Sequence, residues 1–108
     1  MLEERLKLYD QIVAGTKRFE RKGKTIPYTS ANGYMFSLLN KDSELGIRLP
    51  KEKAEKFREK HNSPGPFKSH GAVMRDYVKI PDALLDQPEL ILKYLEDSYD
   101  YVMSLPPK

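Results

Sequence analysis

A chain of 108 residues with 39% hydrophobic and 32% charged residues has the length and composition of one globular domain over residues 1–108, not of a disordered protein. It contains no cysteine, which excludes disulfides, thiolate metal sites and a cysteine nucleophile. The net charge of +3 is modest, no apolar run approaches the roughly 20 residues that cross a bilayer, and the N-terminal segment has no apolar signal core, so we expect a cytoplasmic protein without membrane contact.

The first half of the chain predicts a helix followed by three strands. A helix is predicted over 2–14 because apolar residues recur there every three or four positions. Strand formers at 25–30 and 34–39 flank Asn32-Gly33, a pair that accepts positive φ in a tight turn. A third strand is predicted over 45–49, where leucine and isoleucine alternate with glycine and arginine. These elements should form an antiparallel meander with one buried face.

The second half predicts a charged helix, an extended segment and a closing helix. The helix over 50–60 offers only Ala54 and Phe57 for burial, so it should lie on the surface. The segment 72–80 is rich in strand formers, but its apolar residues are three apart, which favours a bulge or an irregular end. The last helix is predicted from residue 86 to about residue 105.

The order of these elements defines the expected fold class. It is α+β, with an antiparallel sheet of about four to five strands packed by helices. The order along the chain is helix, three strands, helix, one or two strands, helix.

Charge is distributed unevenly along the chain. The segment 16–24 carries five cations against Glu20: Lys17, Arg18, Arg21, Lys22 and Lys24. The last helix is acidic instead. This asymmetry indicates either an anionic partner or attraction between the two ends of the fold, and we favour the second interpretation.

Few residues offer chemistry to a catalytic site. The two histidines, His61 and His70, have no second ligand at metal-binding spacing, so no metal or cofactor site is predicted. A general-base role is weak for both, since an exposed histidine is the commoner state. The loop after the charged helix brings Lys68, His70 and Arg75 close together in sequence, which makes them candidates for binding a small anionic ligand.

Several short motifs follow one another from about Arg18 to Leu105. They are Gly33-Tyr-Met-Phe-Ser-Leu-Leu39, Leu45-Gly-Ile-Arg-Leu49, Phe57, Gly65-Pro-Phe67, Gly71 with Met74, Tyr77 through Pro81, and Leu84-Leu85-Asp86. In this order they resemble the N-terminal domain of the TfoX competence-regulator family. The resemblance implies an antiparallel sheet packed by helices, an association with regulation of competence and transcription, and no catalytic site. It also implies that Phe67 is buried while Lys68 and His70 are exposed.

We therefore expect a non-enzymatic regulatory or protein-interaction module without a cofactor, whose partner is another protein or a second copy in a homodimer. Two alternatives stay open. The first is a nucleic-acid-binding protein that uses the basic residues of 17–24. The second is a binder or enzyme for a small anionic ligand at Lys68, His70 and Arg75.

Overall fold

The computed structural model describes residues 2–63, 65–69 and 71–108, and it confirms the α+β fold. Its helices are α1 (Leu2–Val13), α2 (Lys51–Lys60) and α3 (Pro88–Met103), with a 3-10 turn at Asp82–Leu84. Its strands are β1 (Tyr28–Ala31), β2 (Tyr34–Leu39), β3 (Leu45–Arg48), β4 (Lys68–Ser69), β5 (Ala72–Val73) and β6 (Tyr77–Lys79). None of the helices in these ranges has the length and apolar content that spanning a membrane requires.

The main sheet is antiparallel, with four strands in the order β1-β2-β3-β6, and β4 and β5 form a separate hairpin. The predicted extended segment 72–80 is therefore two strands with different partners, because β5 pairs with β4 while β6 pairs with β3. A turn at Met74–Tyr77 separates them, closed by the Tyr77 N–H, which donates to the Met74 carbonyl at 3.1 Å. The three-residue spacing of the apolar side chains in 72–80 coincides with this break between β5 and β6.

The hairpin of β1 and β2 turns at Asn32 and Gly33, whose φ angles of 57° and 84° fit the predicted tight turn. The register then shifts, because Thr29 lies opposite Ser37 while Ser30 lies opposite Met35. Phe36 is thus the extra residue of a β-bulge. The Ser98 hydroxyl of α3 donates to the free Phe36 carbonyl at 3.4 Å.

We call the sheet face covered by α1 and α3 the inner face. The bulge turns both Phe36 and Ser37 toward it. The Phe36 ring packs edge-on against Phe19 and Tyr99, at 5.1 and 6.0 Å between ring centroids. The Ser37 hydroxyl bonds to the Tyr9 hydroxyl at 2.5 Å and to the neighbouring Thr29, so the buried polar groups at this point are satisfied.

The opposite, outer face of the sheet is also covered, so the prediction of one buried face is wrong. Leu38, Phe67 and Tyr77 form a second buried cluster there. Phe67 is 1% exposed, as expected, and its ring stacks on Tyr77 at 5.8 Å. Gly46 makes this possible, because a Cβ at that position would lie 2.5 Å from the Phe67 ring. The outer face is therefore covered by a loop and a short hairpin instead of a helix.

Candidate interaction surface on the outer face

The basic segment packs against the rest of the fold through its two arginines. The Arg18 guanidinium bonds to Asp100, lies 3.6 Å from Glu96, and stands 4.5 Å above the Tyr99 ring, all on α3. The hydrogen bond to Asp100 raises the pKa of Arg18. The basic and acidic ends of the chain thus attract each other, which is the interpretation favoured from the sequence.

Arg21 is paired in the same way with α1. Its Nε donates to an Asp10 carboxylate oxygen at 2.8 Å, and its Nη1 donates to the Gly23 carbonyl at 2.7 Å. The hydrogen bond to Asp10 raises the pKa of Arg21. The three lysines of the segment, Lys17, Lys22 and Lys24, remain exposed. Only part of the predicted cationic patch is therefore available to an anionic partner.

Lys68 and Arg75, the two candidate ligand-binding residues that the structure describes, line different depressions. Lys68 and Arg75 are both exposed. Lys68 lines a depression with Asn40 and Lys41, whereas Arg75 lines two others beside Arg58. His70 lies outside the described residues. The described pair thus does not form the concave anion pocket that the sequence suggested.

His61 is held by aromatic neighbours at the end of α2. Its Nε2 lies 2.7 Å from the Tyr94 hydroxyl, and its ring is 4.8 Å from the Phe57 ring. Burial, together with the nearby Lys60 charge, lowers the pKa of His61. These contacts tie α2 to α3, so they explain His61 as a packing residue.

The lowered pKa of His61 predicts a pH dependence of stability. In the unfolded chain the His61 side chain binds a proton near pH 6.5, whereas in the folded chain it does so only at lower pH. The contribution of His61 to the free energy of unfolding is therefore complete above pH 6.5. It is lost as the pH falls through 6.5 and levels off below the folded pKa. We expect the urea midpoint to fall between about pH 8 and about pH 5, and His61→Gln to flatten that slope. An unchanged slope in the variant would contradict this assignment.

A separate depression pairs four of its six charged residues with one another. Its volume is about 920 Å³, and it lies between the start of α1, the β2–β3 turn and the segment after α2. Across it, Arg5 lies 3.6 Å from Asp82, and Lys79 lies 3.3 Å from Glu44. Lys41 and Asp42 also line it, so its three cations face three carboxylates, and the depression is a weak candidate for a charged ligand.

The outer face carries an open apolar depression of about 370 Å³, which we call the outer-face depression. Its lining is apolar except for Ser69 and the Tyr28 hydroxyl, and consists of Ile26, Tyr28, Met35, Leu38, Ser69, Ala72 and Met74. Two of these residues are methionines, whose flexible side chains adapt to different partners. Val73, next to it on β5, is 51% exposed. These features make the outer-face depression the candidate contact site for another molecule.

Two further depressions adjoin it and carry cations. One shares Ile26 and Ser69 with it and contains Lys41 and Lys68, with Asp42 as its carboxylate. The other has a volume of about 370 Å³, shares Met74 with it, and is lined by Phe67, Val73, Arg58 and Arg75. The outer-face depression thus lies between two cationic ends.

No known family and no curated protein matches this chain. The resemblance to the TfoX N-terminal domain therefore stays a prediction, carried by the short motifs alone.

Sequence reasoning identified Lys68 and Arg75 but missed the apolar residues between them. Met35 and Leu38 belong to the outer face together only because of the bulge at Phe36, which the sequence did not reveal. Ile26 precedes β1 and joins them as a half-buried residue. The sequence feature that could have indicated a second buried face is the run of apolar residues on both faces of β2.

Proposed function

We propose that this chain is a non-enzymatic protein-interaction module that binds a segment of a partner protein at the outer-face depression. The observation that carries the proposal is an open apolar depression on the sheet face opposite α1 and α3, with cations at both ends. An apolar centre with a polar rim is the usual anatomy of a protein–protein contact. A regulatory role in the cytoplasm is part of the proposal, in keeping with the TfoX-like motifs.

Two features favour a protein segment over the other occupants. The depression is small and open, so it suits one or two side chains of an extended segment better than a whole second subunit. The nucleic-acid alternative relied on 17–24, where Arg18 and Arg21 are already paired with carboxylates. A homodimer and a nucleic-acid complex are outcomes that the experiments below distinguish.

Photo-crosslinking tests the proposal with a matched control. A crosslinking amino acid replaces Val73 beside the depression, or Met103 on α3, which is exposed to a similar extent, 51% against 48%. In cells of the source organism we expect one discrete adduct from position 73 and none from position 103. The adduct is identified by mass spectrometry, and its binding is remeasured with both proteins purified.

The purified complex then tests the surface itself. Ala72 is exposed and lines the depression, so Ala72→Glu should weaken binding at least about tenfold without affecting folding. Ala83→Glu, at an exposed position of the 3-10 turn, is the control and should bind as the unmodified protein does. Equal crosslinking from both positions, or equal binding by both variants, would refute the proposed surface.

A further inference from the structure

The arginines of this chain fall into two groups. Of the six, Arg5, Arg18, Arg21 and Arg48 each lie within 4 Å of a carboxylate oxygen. Among the described residues, Arg58 and Arg75 have no such partner. These are also the two arginines that line the depression next to Met74. Of the arginines in the described ranges, the two without a carboxylate partner therefore lie together on the outer face.

A hydrogen bond to the edge of the sheet orients the Arg58 side chain. Arg58 is half-buried on α2, and its Nη2 donates to the Tyr77 carbonyl at the free edge of β6 at 3.1 Å. This bond uses one of its five N–H donors and fixes the orientation of the planar group. The other donors are left for a ligand.

Arg75 faces the same region from the turn between β5 and β6. It is exposed, and it lines with Arg58 both the depression containing Phe67 and Met74 and a smaller one of about 260 Å³. The smaller one contains Glu55 and Asp76 beside three cations, and the Asp76 carboxylate lies 3.9 Å from Arg48. Within the part of the chain that the structure describes, no acidic residue lines the larger one or the outer-face depression. The net charge along this path is positive.

We propose that the partner segment is extended and acidic: it places an apolar side chain in the outer-face depression and an aspartate or glutamate carboxylate between Arg58 and Arg75. This inference rests on the proposed function and names the chemistry of the partner. Two guanidinium groups beside an apolar depression match such a segment, since arginine binds carboxylates through paired, charge-assisted hydrogen bonds. The shared residue Met74 makes the two subsites adjacent, so neighbouring side chains of one segment reach both.

Fluorescence anisotropy with synthetic peptides tests the charge requirement. The probes are labelled peptides with one apolar residue, varied over Leu, Ile, Met, Phe and Trp, and followed by glutamates. Their controls are the same peptides with glutamine or with phosphoserine in place of glutamate, and a labelled single-stranded DNA. We expect the best glutamate peptide to bind about tenfold more tightly than its glutamine counterpart, and this advantage to shrink as salt rises.

Single substitutions show which residues produce the preference for glutamate peptides. Arg75 makes no described hydrogen bond through its side chain, so Arg75→Ala should leave thermal unfolding unchanged and remove most of the tenfold glutamate advantage. Lys93→Ala, which removes an exposed cation on α3, should keep it. Ala72→Glu should weaken both the glutamate and the glutamine peptides.

Each other outcome overturns the inference in a distinguishable way. If glutamate and glutamine peptides bind equally, or if no peptide binds while position 73 still crosslinks, the partner is not acidic although the proposed function holds. Tighter binding of the phosphoserine peptide or of DNA identifies a different occupant. If crosslinking at position 73 also fails, the proposed function itself falls.

Discussion

Phe67→Ala is expected to lower the free energy of unfolding by about 3 to 5 kcal/mol. Phe67 is 1% exposed and is the central ring of the cluster that covers the outer face, stacked on Tyr77 and lying over Gly46. Because Gly46 has no side chain, it cannot fill the space that the ring leaves. Urea denaturation followed by circular dichroism measures the loss.

The neighbouring Val73→Ala is the matched control for this prediction. Val73 is 51% exposed on the same hairpin, so its truncation should change stability by no more than about 0.5 kcal/mol. A Phe67→Ala effect as small as that of Val73→Ala would contradict the tight packing of the Phe67 loop on the outer face.

Gly46→Ala is expected to destabilise the fold by about 1 to 3 kcal/mol, although alanine is normally the better strand residue. The added Cβ would lie 2.5 Å from two atoms of the Phe67 ring, a distance that requires the ring or the strand to move. The cost should come from this contact alone, because Gly46 does not adopt a positive φ.

A double-mutant cycle separates this contact from any general effect on β3. In the Phe67→Ala background the clash is absent, so Gly46→Ala should be close to neutral there, with a coupling of about 1 kcal/mol or more. Strictly additive effects of the two substitutions would contradict the proposed packing of Phe67 on Gly46.

Local patterns were enough to predict the order and type of the main elements. The last helix was predictable because Ile91, Leu95, Ser98 and Val102 recur every three or four positions and are all buried, although α3 ends at Met103 and not at about residue 105. The Asn32-Gly33 turn was correct because few residue pairs accept positive φ at two consecutive positions. Both features depend on the backbone of one short segment, which the sequence reports directly.

The features that shape the candidate site depend on contacts between distant segments. The bulge at Phe36 is stabilised by Ser98, which is 62 residues away, and it decides which β2 side chains face outward. The coverage of the outer face depends on Phe67 meeting Gly46. Neither contact leaves a periodic signal in the sequence, so a single buried face was the natural but incorrect expectation.

The grouping of the charged residues also depends on contacts that the sequence does not reveal. Closeness in sequence suggested that Lys68 and Arg75 act together, yet the β4–β5 hairpin places them on different depressions. Arg58, 17 positions before Arg75, belongs to the charged helix that the sequence places on the surface, and the fold brings it to the same depression as Arg75. Which arginines are paired with carboxylates can be known only from the tertiary structure.

An NMR titration of the ¹⁵N-labelled protein with the best-binding glutamate peptide tests the docking surface most directly. The predicted result is a set of amide shift changes confined to the outer face and its rim, at Met35, Leu38, Phe67 to Ser69 and Ala72 to Arg75. The Ala72→Glu variant should lose these changes at the same peptide concentration. Shift changes centred on 17–24 or on α3, or none on the outer face, would contradict the proposal that this face is where the protein binds its partner.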